Sequence, residues 1–558
     1  MASNVQNNIP LPFISRRSAV LGQHYMVAST QPLASQAGVR ILEQGGNAAD
    51  AAVAVAAALG VTEPFSTGLG GDCFCLFYSA RDKQVYGLNG SGRAPAALSI
   101  DRLEKEFGIS GEIPERNVHG ITVPGAAAGW TDTVERFGSG AVELGEILAP
   151  AIELAEAGFP VSELTAVFWR DGTKVLQRAS GDVDGLVMDG GQGPQAGQVV
   201  RNPALAQTLR LLAQHGKDGF YRGPVADAIV QSVTEQGGVL THADLQAHTS
   251  TLDSPISYEY RGRRLHECAP NGGGLAALIA LGILDVLEDT GVVSLAAMEH
   301  NSAEYLHVLV EALRLAFVDT RRYVCDPDFG AVPVERLLSR EHLTARARLF
   351  DPARAVVDVN DGAPVGGSDT VYFSVVDAAG NACSFVNSLY HGFGTGIVPR
   401  NYGFPLHDRG CLFSLDPAHA NCLEPGKRPY HTIIPAMVTV DGELSMSYGI
   451  MGGMNQPQAH VQVLLNIARF KMNAQTALDV PRFCIQVDRD GSVAVEDGVA
   501  EPTLQGLRSR GHRVFVQSGI NRALFGRGQV IRVLPDSRSA RVLEAGSDPR
   551  ADGQAVGR

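Results

Sequence analysis

The sequence contains little cysteine and no cysteine pair at a metal-binding spacing. Eight cysteines occur among 558 residues, and the two closest, Cys73 and Cys75, are separated by a single residue. A structural zinc site needs several Cys or His ligands at short, regular spacing, and a disulfide scaffold needs a much higher cysteine density. We therefore expect reduced, buried cysteines, and neither a metal ion nor an organic cofactor.

An excess of positive charge and a long apolar segment are also missing. Lys and Arg number 46 against 59 Asp and Glu, a net charge of −13, which is the wrong sign for binding phosphates. The longest apolar stretch, residues 48–61, contains Asp50 and is too short to span a bilayer. No apolar signal-peptide core follows Arg16 and Arg17. We expect a cytoplasmic protein with no nucleic-acid or membrane partner.

The hydrophobic pattern predicts an α+β fold. Hydrophobic residues make up 45% of the chain and charged residues 19%, so a large core can be buried. Helical periodicity dominates residues 140–345, and the clearest predicted helices are 33–44, 47–60, 275–291, 303–324 and 458–470. Predicted strands fall within 73–80, 83–90, 370–389, 431–450, 492–498, 512–519 and 528–534. The strands do not alternate regularly with helices, which favours antiparallel sheets.

One segment joins a predicted loop to a predicted strand that begins with threonine. Residues 358–369 are rich in Gly, Asp and Pro, and such a composition predicts an exposed loop that tolerates cleavage. A Thr hydroxyl is a weak nucleophile, but a Thr at a new chain end can use its own α-amino group as the base. That group has a pKa of about 7.7–8.0, so part of it is free amine at neutral pH. From this segment alone, Thr370 is either such a nucleophile or an ordinary strand residue after a turn.

Segments spread over nearly the whole chain resemble the γ-glutamyltransferase family of N-terminal-nucleophile hydrolases. The resemblance is carried by VHGITVPGAAAGW, APNGGG, DTVYFSVVDAAGNACSFVNSLYHGFGTGIV and MGGMNQPQAHVQVLLNI, and it extends to the opening residues 26–74 and the closing residues 545–557. These segments follow one another in the order that the family has. The chain is identified as a member of that family.

The resemblance implies a four-layer αββα sandwich in which two antiparallel sheets lie between helices. It also makes Thr370 the nucleophile and the Asp369–Thr370 bond a self-cleavage site. The expected products are a large subunit, residues 1–369, and a small subunit, residues 370–558. Both would remain in one interleaved domain as a heterodimer, which could oligomerise further.

Three more catalytic residues follow from the resemblance. Ser388 takes the place of a family Thr that hydrogen-bonds the new amino group, and it keeps the hydroxyl. Gly452 and Gly453 are similar to the family's oxyanion hole, in which backbone N–H groups face the developing negative charge. A turn at the end of a strand is the alternative interpretation of this glycine pair.

The residues that bind a γ-glutamyl group in the family are replaced here. Its carboxylate-binding Arg, an Asn, its ammonium-binding Asp and two Ser correspond to Ser91, Tyr390, Leu412, His431 and Thr432. Arg93 could reach the carboxylate from a shifted position, or it could be a solvated Arg in a turn. His391 is a further pocket candidate, although the amino-terminal base leaves it no necessary catalytic role. Other candidate substrate contacts are Tyr390, His431, Thr432, Asn455 and Gln456.

These features predict a self-processing amidohydrolase or acyltransferase that cleaves a small amide through an acyl-threonine intermediate. The family's usual substrates are γ-glutamyl compounds such as glutathione, and the acyl group passes to water or to an acceptor amine. The replaced residues resemble the acylase-like branch instead, which acts on other carboxylate-bearing amides of the oxamate or cephalosporin-acylase kind. An inert binding or scaffold homologue is the third possibility.

Overall fold

A computed structural model describes residues 17–179, 183–356, 369–487, 490–534 and 541–558. Most of the loop predicted at 358–369 lies outside the described residues, as does Arg16. The helices are α1 (Pro32–Glu43), α2 (Ala48–Thr62), α3 (Ile100–Phe107), α4 (Ala126–Phe137), α5 (Leu144–Ala157), α6 (Glu163–Ala179), α7 (Pro203–His215), α8 (Asp218–Tyr221), α9 (Gly223–Glu235), α10 (His242–Gln246), α11 (Leu275–Asp289), α12 (Ala303–Tyr323), α13 (Val334–Leu337), α14 (Arg340–Ala347), α15 (Asn455–Ala468), α16 (Ala474–Asp479) and α17 (Glu501–Ser509).

The strands are distributed over the whole described chain. They are β1 (Val20–Gly22), β2 (Met26–Ser29), β3 (Asp72–Ser79), β4 (Gln84–Gly90), β5 (Phe159–Pro160), β6 (Val199–Val200), β7 (Thr251–Asp253), β8 (Ile256–Tyr260), β9 (Arg263–Glu267), β10 (Asp369–Val376), β11 (Ala382–Tyr390), β12 (Ala436–Val440), β13 (Glu443–Ile450), β14 (Phe483–Ile485), β15 (Val493–Glu496), β16 (Val514–Gln517), β17 (Gly528–Leu534), β18 (Val542–Ser547) and β19 (Gln554–Gly557).

Two seven-stranded antiparallel sheets form the centre of the fold. Sheet I has the order β1-β18-β17-β13-β12-β9-β8, and sheet II has the order β19-β2-β10-β11-β3-β4-β7. Each sheet therefore contains strands from both sides of the 369/370 junction. In a smaller sheet, β15 pairs with β14 antiparallel and with β16 parallel.

Apolar side chains divide the molecule into four layers. One cluster, with Leu76 and Val376 from sheet II and Met437 and Ile531 from sheet I, fills the space between the sheets. The outer face of sheet II packs on α1, α2 and α4, and the outer face of sheet I packs on α11, α15 and α16. The predicted αββα sandwich is confirmed.

The pair α1 and α2 shows how local sequence sets an element boundary. Gly45 has φ +98°, a left-handed conformation that ends the first helix, and Asn47 then caps the second. The Asn47 side chain accepts from the N–H groups of Ala49 and Asp50, while the Asp50 carboxylate accepts from the Asn47 N–H. Every side chain of α2 is buried, so its uniform apolar character matches its environment.

The sequence predictions are incomplete in two places. The helix-dominated region 140–345 also contains the β8–β9 hairpin and the short strand β7; β7 pairs with β4 and β9 pairs with β12, both far away in the chain. In the segment 431–450, strand structure begins only at Ala436. All eight cysteines are free, and seven of them are buried, as expected.

The last residue of the chain lies against its first strands. The carbonyl oxygen of Arg558 accepts hydrogen bonds from the backbone N–H groups of Gln23 and His24, at 2.7 and 2.6 Å. Strand β1 pairs with β18, and β2 pairs with β19. Among the described residues, no helix has both the length and the apolarity that crossing a membrane requires.

Candidate active site

Thr370 lies at the start of the β10–β11 hairpin in sheet II. Asp369 is opposite Tyr390 in this hairpin, and an irregularity in the register follows between Asp369 and Val371. Thr370 and Ser388 are both fully buried, and their hydroxyl oxygens are 3.0 Å apart. The hairpin therefore brings together the two hydroxyls that the sequence predicts to act together.

The hydrogen bonds of Ser388 fix the direction of its proton. Its Oγ accepts from the Tyr390 N–H at 2.9 Å and from Nη2 of Arg409 at 2.9 Å. A hydroxyl has two acceptor lone pairs and one proton, so these two donors fill its acceptor capacity. The Ser388 proton is therefore donated, either to the Asp369 carbonyl oxygen at 3.0 Å or to Thr370 Oγ1. Both possible acceptors belong to the Asp369–Thr370 pair.

Arg409 is a residue at this site that sequence reasoning missed. Its side chain is fully buried, Nη1 donates to Thr432 Oγ1 at 2.7 Å, and the guanidinium carbon lies 4.4 Å from the centre of the Tyr390 ring. Burial lowers the pKa of Arg409 from its ordinary value, and the negative charge of Asp72 opposes that shift. Only its tertiary partners reveal its position, because the segment around it contains no recognisable signal.

His431 is fully buried and contacts a buried carboxylate. Its Nε2 is 3.1 Å from Asp72 Oδ2, and Asp72 also accepts from two backbone N–H groups at 3.0 and 3.3 Å. Burial would raise the pKa of Asp72, but His407, His431 and Arg409 together keep it below its ordinary value. Burial, with a contribution from Arg409, lowers the pKa of His431 to about 3, so this imidazole is neutral at neutral pH.

His391 forms a second buried pair next to Tyr390. Its Nδ1 lies 2.6 Å from Asp408 Oδ2, and the Tyr390 and His391 ring centres are 4.4 Å apart. Burial would raise the pKa of Asp408, but the charge and hydrogen bond of His391 bring it to about 2. The Nε2 atom of His391 has no hydrogen-bond partner within the described part of the chain, and Glu115 Oε1 is 3.7 Å away.

Gly452 and Gly453 lie between β13 and α15. Gly452 has φ +129° and Gly453 has φ +56°, conformations that favour glycine. Their carbonyl oxygens accept from the first N–H groups of α15, whereas neither glycine N–H donates a hydrogen bond within the described residues. Two backbone donors at a helix N-terminus can stabilise negative charge.

Arg527 connects the glycine pair to Thr370. The N–H of Met451, the residue before Gly452, donates to the Arg527 carbonyl oxygen at 3.2 Å. The guanidinium of Arg527 in turn donates to the Thr370 carbonyl oxygen at 3.4 Å and lies 3.8 Å from the Asp369 carboxylate. The structure thus places the glycine pair and Thr370 around one arginine.

Two amide side chains follow the glycine pair. Asn455 is 2% exposed, and neither of its amide atoms has a hydrogen-bond partner among the described residues. Gln456 Oε1 accepts from the Ile434 N–H at 2.9 Å, which ties α15 to the segment containing Thr432.

Within the described residues, the side chain of Arg93 makes no contact with Thr370, Ser388 or Arg409. Its guanidinium lies 3.7 Å from Asp328 and 3.4 Å from the Thr249 carbonyl oxygen. Ser91, which replaces the family's arginine, donates its hydroxyl to Asn89 Oδ1 at 2.8 Å. Its carbonyl oxygen accepts from Arg428 Nε at 3.2 Å, so Arg428 braces this loop.

Among the described residues, two side-chain groups have the composition of a metal site. They are His391, Asp408 and Cys411, and His307, Glu311 and His512. In the first group, burial raises the pKa of the Cys411 thiol well above its ordinary value, which disfavours the thiolate that binds metals. In the second, His307 Nδ1 and His512 Nε2 are 2.7 Å apart and hydrogen-bond each other.

The Thr370 group is closed to solvent in the uncleaved chain. The side chain of Asp369 is 35% exposed, whereas Thr370 and Ser388 are fully buried behind it. The Thr370 hydroxyl is therefore not exposed to solvent in the uncut chain.

Known proteins resemble this chain over nearly its whole length. The sequence model of the family described as Gamma-glutamyltranspeptidase matches residues 34–558. The chain is 37% identical to a glutathione hydrolase-like YwrD proenzyme of Bacillus subtilis, and 34% identical to an oxamate amidohydrolase proenzyme of Klebsiella pneumoniae. Each alignment covers 97% of this chain and 99% of the relative. A crystal structure of cephalosporin acylase from Bacillus halodurans superposes with a TM-score of 0.87 at 39% identity, over 99% of this chain and 98% of the acylase.

Proposed function

The chain belongs to the gamma-glutamyltranspeptidase family and is an amidohydrolase of the N-terminal-nucleophile type, and we propose that Thr370 is its nucleophile. The observation that carries this proposal is the 3.0 Å contact between Thr370 Oγ1 and Ser388 Oγ beside the Asp369 carbonyl. Relatives named as proenzymes support processing into two chains that together act on a small molecule.

The first reaction is cleavage of the chain itself. Thr370 Oγ1 bonds to the Asp369 carbonyl carbon, the peptide C–N bond breaks, and the nitrogen takes up the hydroxyl proton. The Ser388 hydroxyl donates a hydrogen bond to the carbonyl oxygen, and keeps its proton, as negative charge develops there. Water then hydrolyses the resulting ester, which leaves a carboxylate on Asp369 and a free α-amino group on Thr370. The products are residues 1–369 and 370–558.

The second reaction uses the same hydroxyl on an external amide. The new α-amino group accepts the Thr370 hydroxyl proton while Oγ1 bonds to the substrate carbonyl carbon. The C–N bond breaks, the leaving amine takes that proton, and an acyl ester remains on Thr370. Water or an acceptor amine then attacks this ester. The N–H groups of Gly452 and Gly453 are the proposed donors to the oxyanion.

A γ-glutamyl compound is the substrate that the family predicts, and a different carboxylate-bearing amide is the second candidate. Two observations favour the second. Leu412 is a buried aliphatic side chain at the position of the family's ammonium-binding Asp. The Ser91 hydroxyl is engaged by Asn89 and is too short to replace an arginine. Relatives named oxamate amidohydrolase and cephalosporin acylase support the same choice.

The test is the chain composition of the purified protein. Intact mass and N-terminal sequencing are expected to give two fragments, the smaller beginning Thr-Val-Tyr-Phe, and Thr370→Ala is expected to remain uncut. Ser374→Ala is the matched control, because Ser374 is a buried hydroxyl in the same strand that pairs with Ser447 instead. It should be processed normally.

Acyl-enzyme trapping distinguishes an enzyme from an inert homologue. A labelled acyl group recovered on Thr370 after incubation with an amide would exclude an inert scaffold. An uncut wild-type chain that still hydrolyses amides would contradict the mechanism.

A further inference from the structure

We propose that Arg409 binds a carboxylate of the substrate's acyl group, and that this enzyme therefore acts on monoamides of short dicarboxylic acids. The inference rests on the proposed function, since it concerns the acyl group that Thr370 attacks. It assigns the carboxylate to Arg409 instead of Arg93, the arginine that the sequence suggested.

The first argument is the charge around Arg409. Its two terminal nitrogens donate to the neutral hydroxyls of Ser388 and Thr432, and its Nε has no hydrogen-bond partner. No carboxylate of the described residues lies within 4.0 Å of this guanidinium, although it is fully buried. A buried cation of this kind favours an anionic ligand, because charge-assisted bonds are much stronger than bonds to hydroxyls.

The distant charge of Asp72 explains why Arg409 remains a cation without losing its binding capacity. Asp72 acts on Arg409 through space and opposes the effect of burial on its pKa. Its own oxygens are occupied by His431 and by the N–H groups of Gly92 and Gly125. The site therefore has a fixed positive charge whose hydrogen-bond donors face replaceable neutral partners.

The second argument concerns the ammonium group that a γ-glutamyl substrate also brings. Two buried carboxylates close to the Arg409 side of the site are already engaged: Asp72 as above, and Asp408 by His391 and the Arg116 N–H. A third, Glu63, lies on the other side, 3.5 Å from Arg527. Within the described residues, no carboxylate next to Arg409 is left to bind an ammonium ion. The geometry favours an acyl group with a carboxylate and no amine.

The third argument sets the length of that acyl group. Thr370 Oγ1 and Arg409 Nη2 lie 3.0 and 2.9 Å from the same atom, Ser388 Oγ. A carbonyl carbon attacked by Thr370 must approach to about 3–3.5 Å, and a carboxylate oxygen bound to Arg409 lies at about 2.8 Å. Thr370 Oγ1 and Arg409 Nη2 are therefore at most about 6 Å apart, so an acyl group whose carboxylate is attached to the carbonyl directly or through a single carbon atom is the shortest that we expect to reach both. A γ-glutamyl group places three carbon atoms between the two.

Self-cleavage provides the space that the substrate needs next to Ser388 and Arg409. In the uncleaved chain, the Asp369 carbonyl oxygen occupies the position 3.0 Å from Ser388 Oγ, and Asp369 closes the site from outside. Once the peptide bond is broken, Asp369 is no longer held to Thr370. Its departure opens a route to Ser388 and to the guanidinium behind it.

The experiment compares half-amides with neutral amides of equal length on the processed enzyme. The probes are oxamate, malonamate and succinamate against propionamide and butyramide, with ammonia release as the readout. We expect kcat/KM for oxamate or malonamate to exceed that of the neutral amides by about 100-fold, as is typical for a buried charge pair. The ratio of half-amide to neutral-amide kcat/KM should be lower for succinamate than for malonamate. Equal rates with and without the carboxylate, or a rise with chain length, would overturn the inference.

Two variants assign the preference to a residue. Arg409→Gln should lower the ratio of half-amide to neutral-amide kcat/KM by about 100-fold, and Arg409→Lys should recover part of it. A purely structural role would lower both rates equally and leave the ratio unchanged, which would refute the assignment. Arg93→Gln is the matched control, and loss of the preference there instead would contradict the proposal.

Calorimetric binding of malonate separates this inference from the proposed function. Malonate should bind the processed wild type and not Arg409→Gln, whether or not an amide turns over. If Arg409→Gln is not processed, the chain-length series and malonate binding of the wild type still decide the matter. An uncut wild-type chain contradicts the proposed function, whereas a cut chain that hydrolyses amides but does not bind malonate contradicts only the inference.

Discussion

Buried arginines have different hydrogen-bond partners in two regions of this molecule. Near the C-terminus, Arg482, Arg522 and Arg550 interleave with Glu496 and Asp548. Each of these arginines has a carboxylate oxygen within hydrogen-bond distance; for example, Arg550 Nη1 lies 2.9 Å from Asp548 Oδ1. At the Thr370 site, Arg409 is equally buried and has two neutral hydroxyls instead.

The difference separates a region that stabilises the fold from one that is arranged for a ligand. In the C-terminal cluster, burial would raise the pKa of Asp548, but Arg482 and Arg550 lower it, so the carboxylate is strongly stabilised as an anion. Within this cluster, Glu496 Oε2 also accepts a hydrogen bond from the Arg482 backbone N–H at 2.9 Å, which connects the start of β14 to β15. Arg409 has hydrogen bonds to two hydroxyls and no carboxylate partner among the described residues, which leaves its charge available for a ligand.

The largest expected effect comes from breaking the C-terminal cluster. Glu496→Gln should lower the free energy of unfolding by about 3–5 kcal/mol, because it leaves buried arginines without their carboxylate. Urea unfolding in the Thr370→Ala background, where the chain stays in one piece, measures this. Arg409→Met in the same background should cost less, about 2 kcal/mol, because only bonds to two hydroxyls are lost. Equal losses would remove the distinction between the regions.

A change within the Thr370 site should affect rate more than stability. Ser388→Ala removes the donor to the Asp369 carbonyl oxygen, so self-cleavage should slow by about 10²–10³-fold. The time course of fragment formation on denaturing gels measures this effect, and Ser388→Thr should restore cleavage because it keeps the hydroxyl. Cleavage of Ser388→Ala at the wild-type rate would show that this contact has no part in the reaction.

The smallest effect is a difference in acid sensitivity between the two regions. The folded-state pKa of His431 is about 3, below the ordinary value of about 6.5. Between those pH values the unfolded state binds more protons, so His431 makes stability fall as pH falls through this window. His431→Gln should reduce that loss by about 1.4 kcal/mol per pH unit between pH 6 and 5. The lowered pKa of Asp548 places the corresponding loss in the C-terminal cluster below about pH 4.

Urea unfolding at pH 7, 6 and 5 in the Thr370→Ala background tests this prediction. The exposed His242 provides the control, since His242→Gln removes a histidine from the surface. A wild-type pH dependence in His431→Gln would show that other groups account for the acid sensitivity.

Local sequence was sufficient for the parts of the site that adjacent strands build. The turn at Asp377–Asn381 predicts a hairpin, and a hairpin alone brings Ser388 back to Thr370. The cap at Asn47 and the apolar run after it likewise determine α2. In each case the partners are close in sequence, so the pattern contains the information.

Contacts between distant segments could not be read in the same way. The role of Arg409 depends on its contacts with Ser388 and Thr432, which lie in other segments of the chain. Nothing in the sequence around Arg409 indicates that it is buried. Arg93 is the opposite case, because its neighbours in sequence suggest a substrate contact while Asp328 and Thr249 are its partners in space. The place of the β8–β9 hairpin in sheet I likewise depends on a distant segment, since β9 pairs with β12.

The position of Arg558 beside Gln23 and His24 has a consequence for protein engineering. Because the two ends of the fold meet, a circular permutant could begin with Met-Thr370 and join residue 558 to residue 1, so that residues 1–16 form the connection. Removal of the initiator methionine would then expose the Thr370 amine during translation, without self-cleavage of an Asp369–Thr370 bond. Such a gene would uncouple maturation from catalysis, and substitutions that block the first could be assayed for the second.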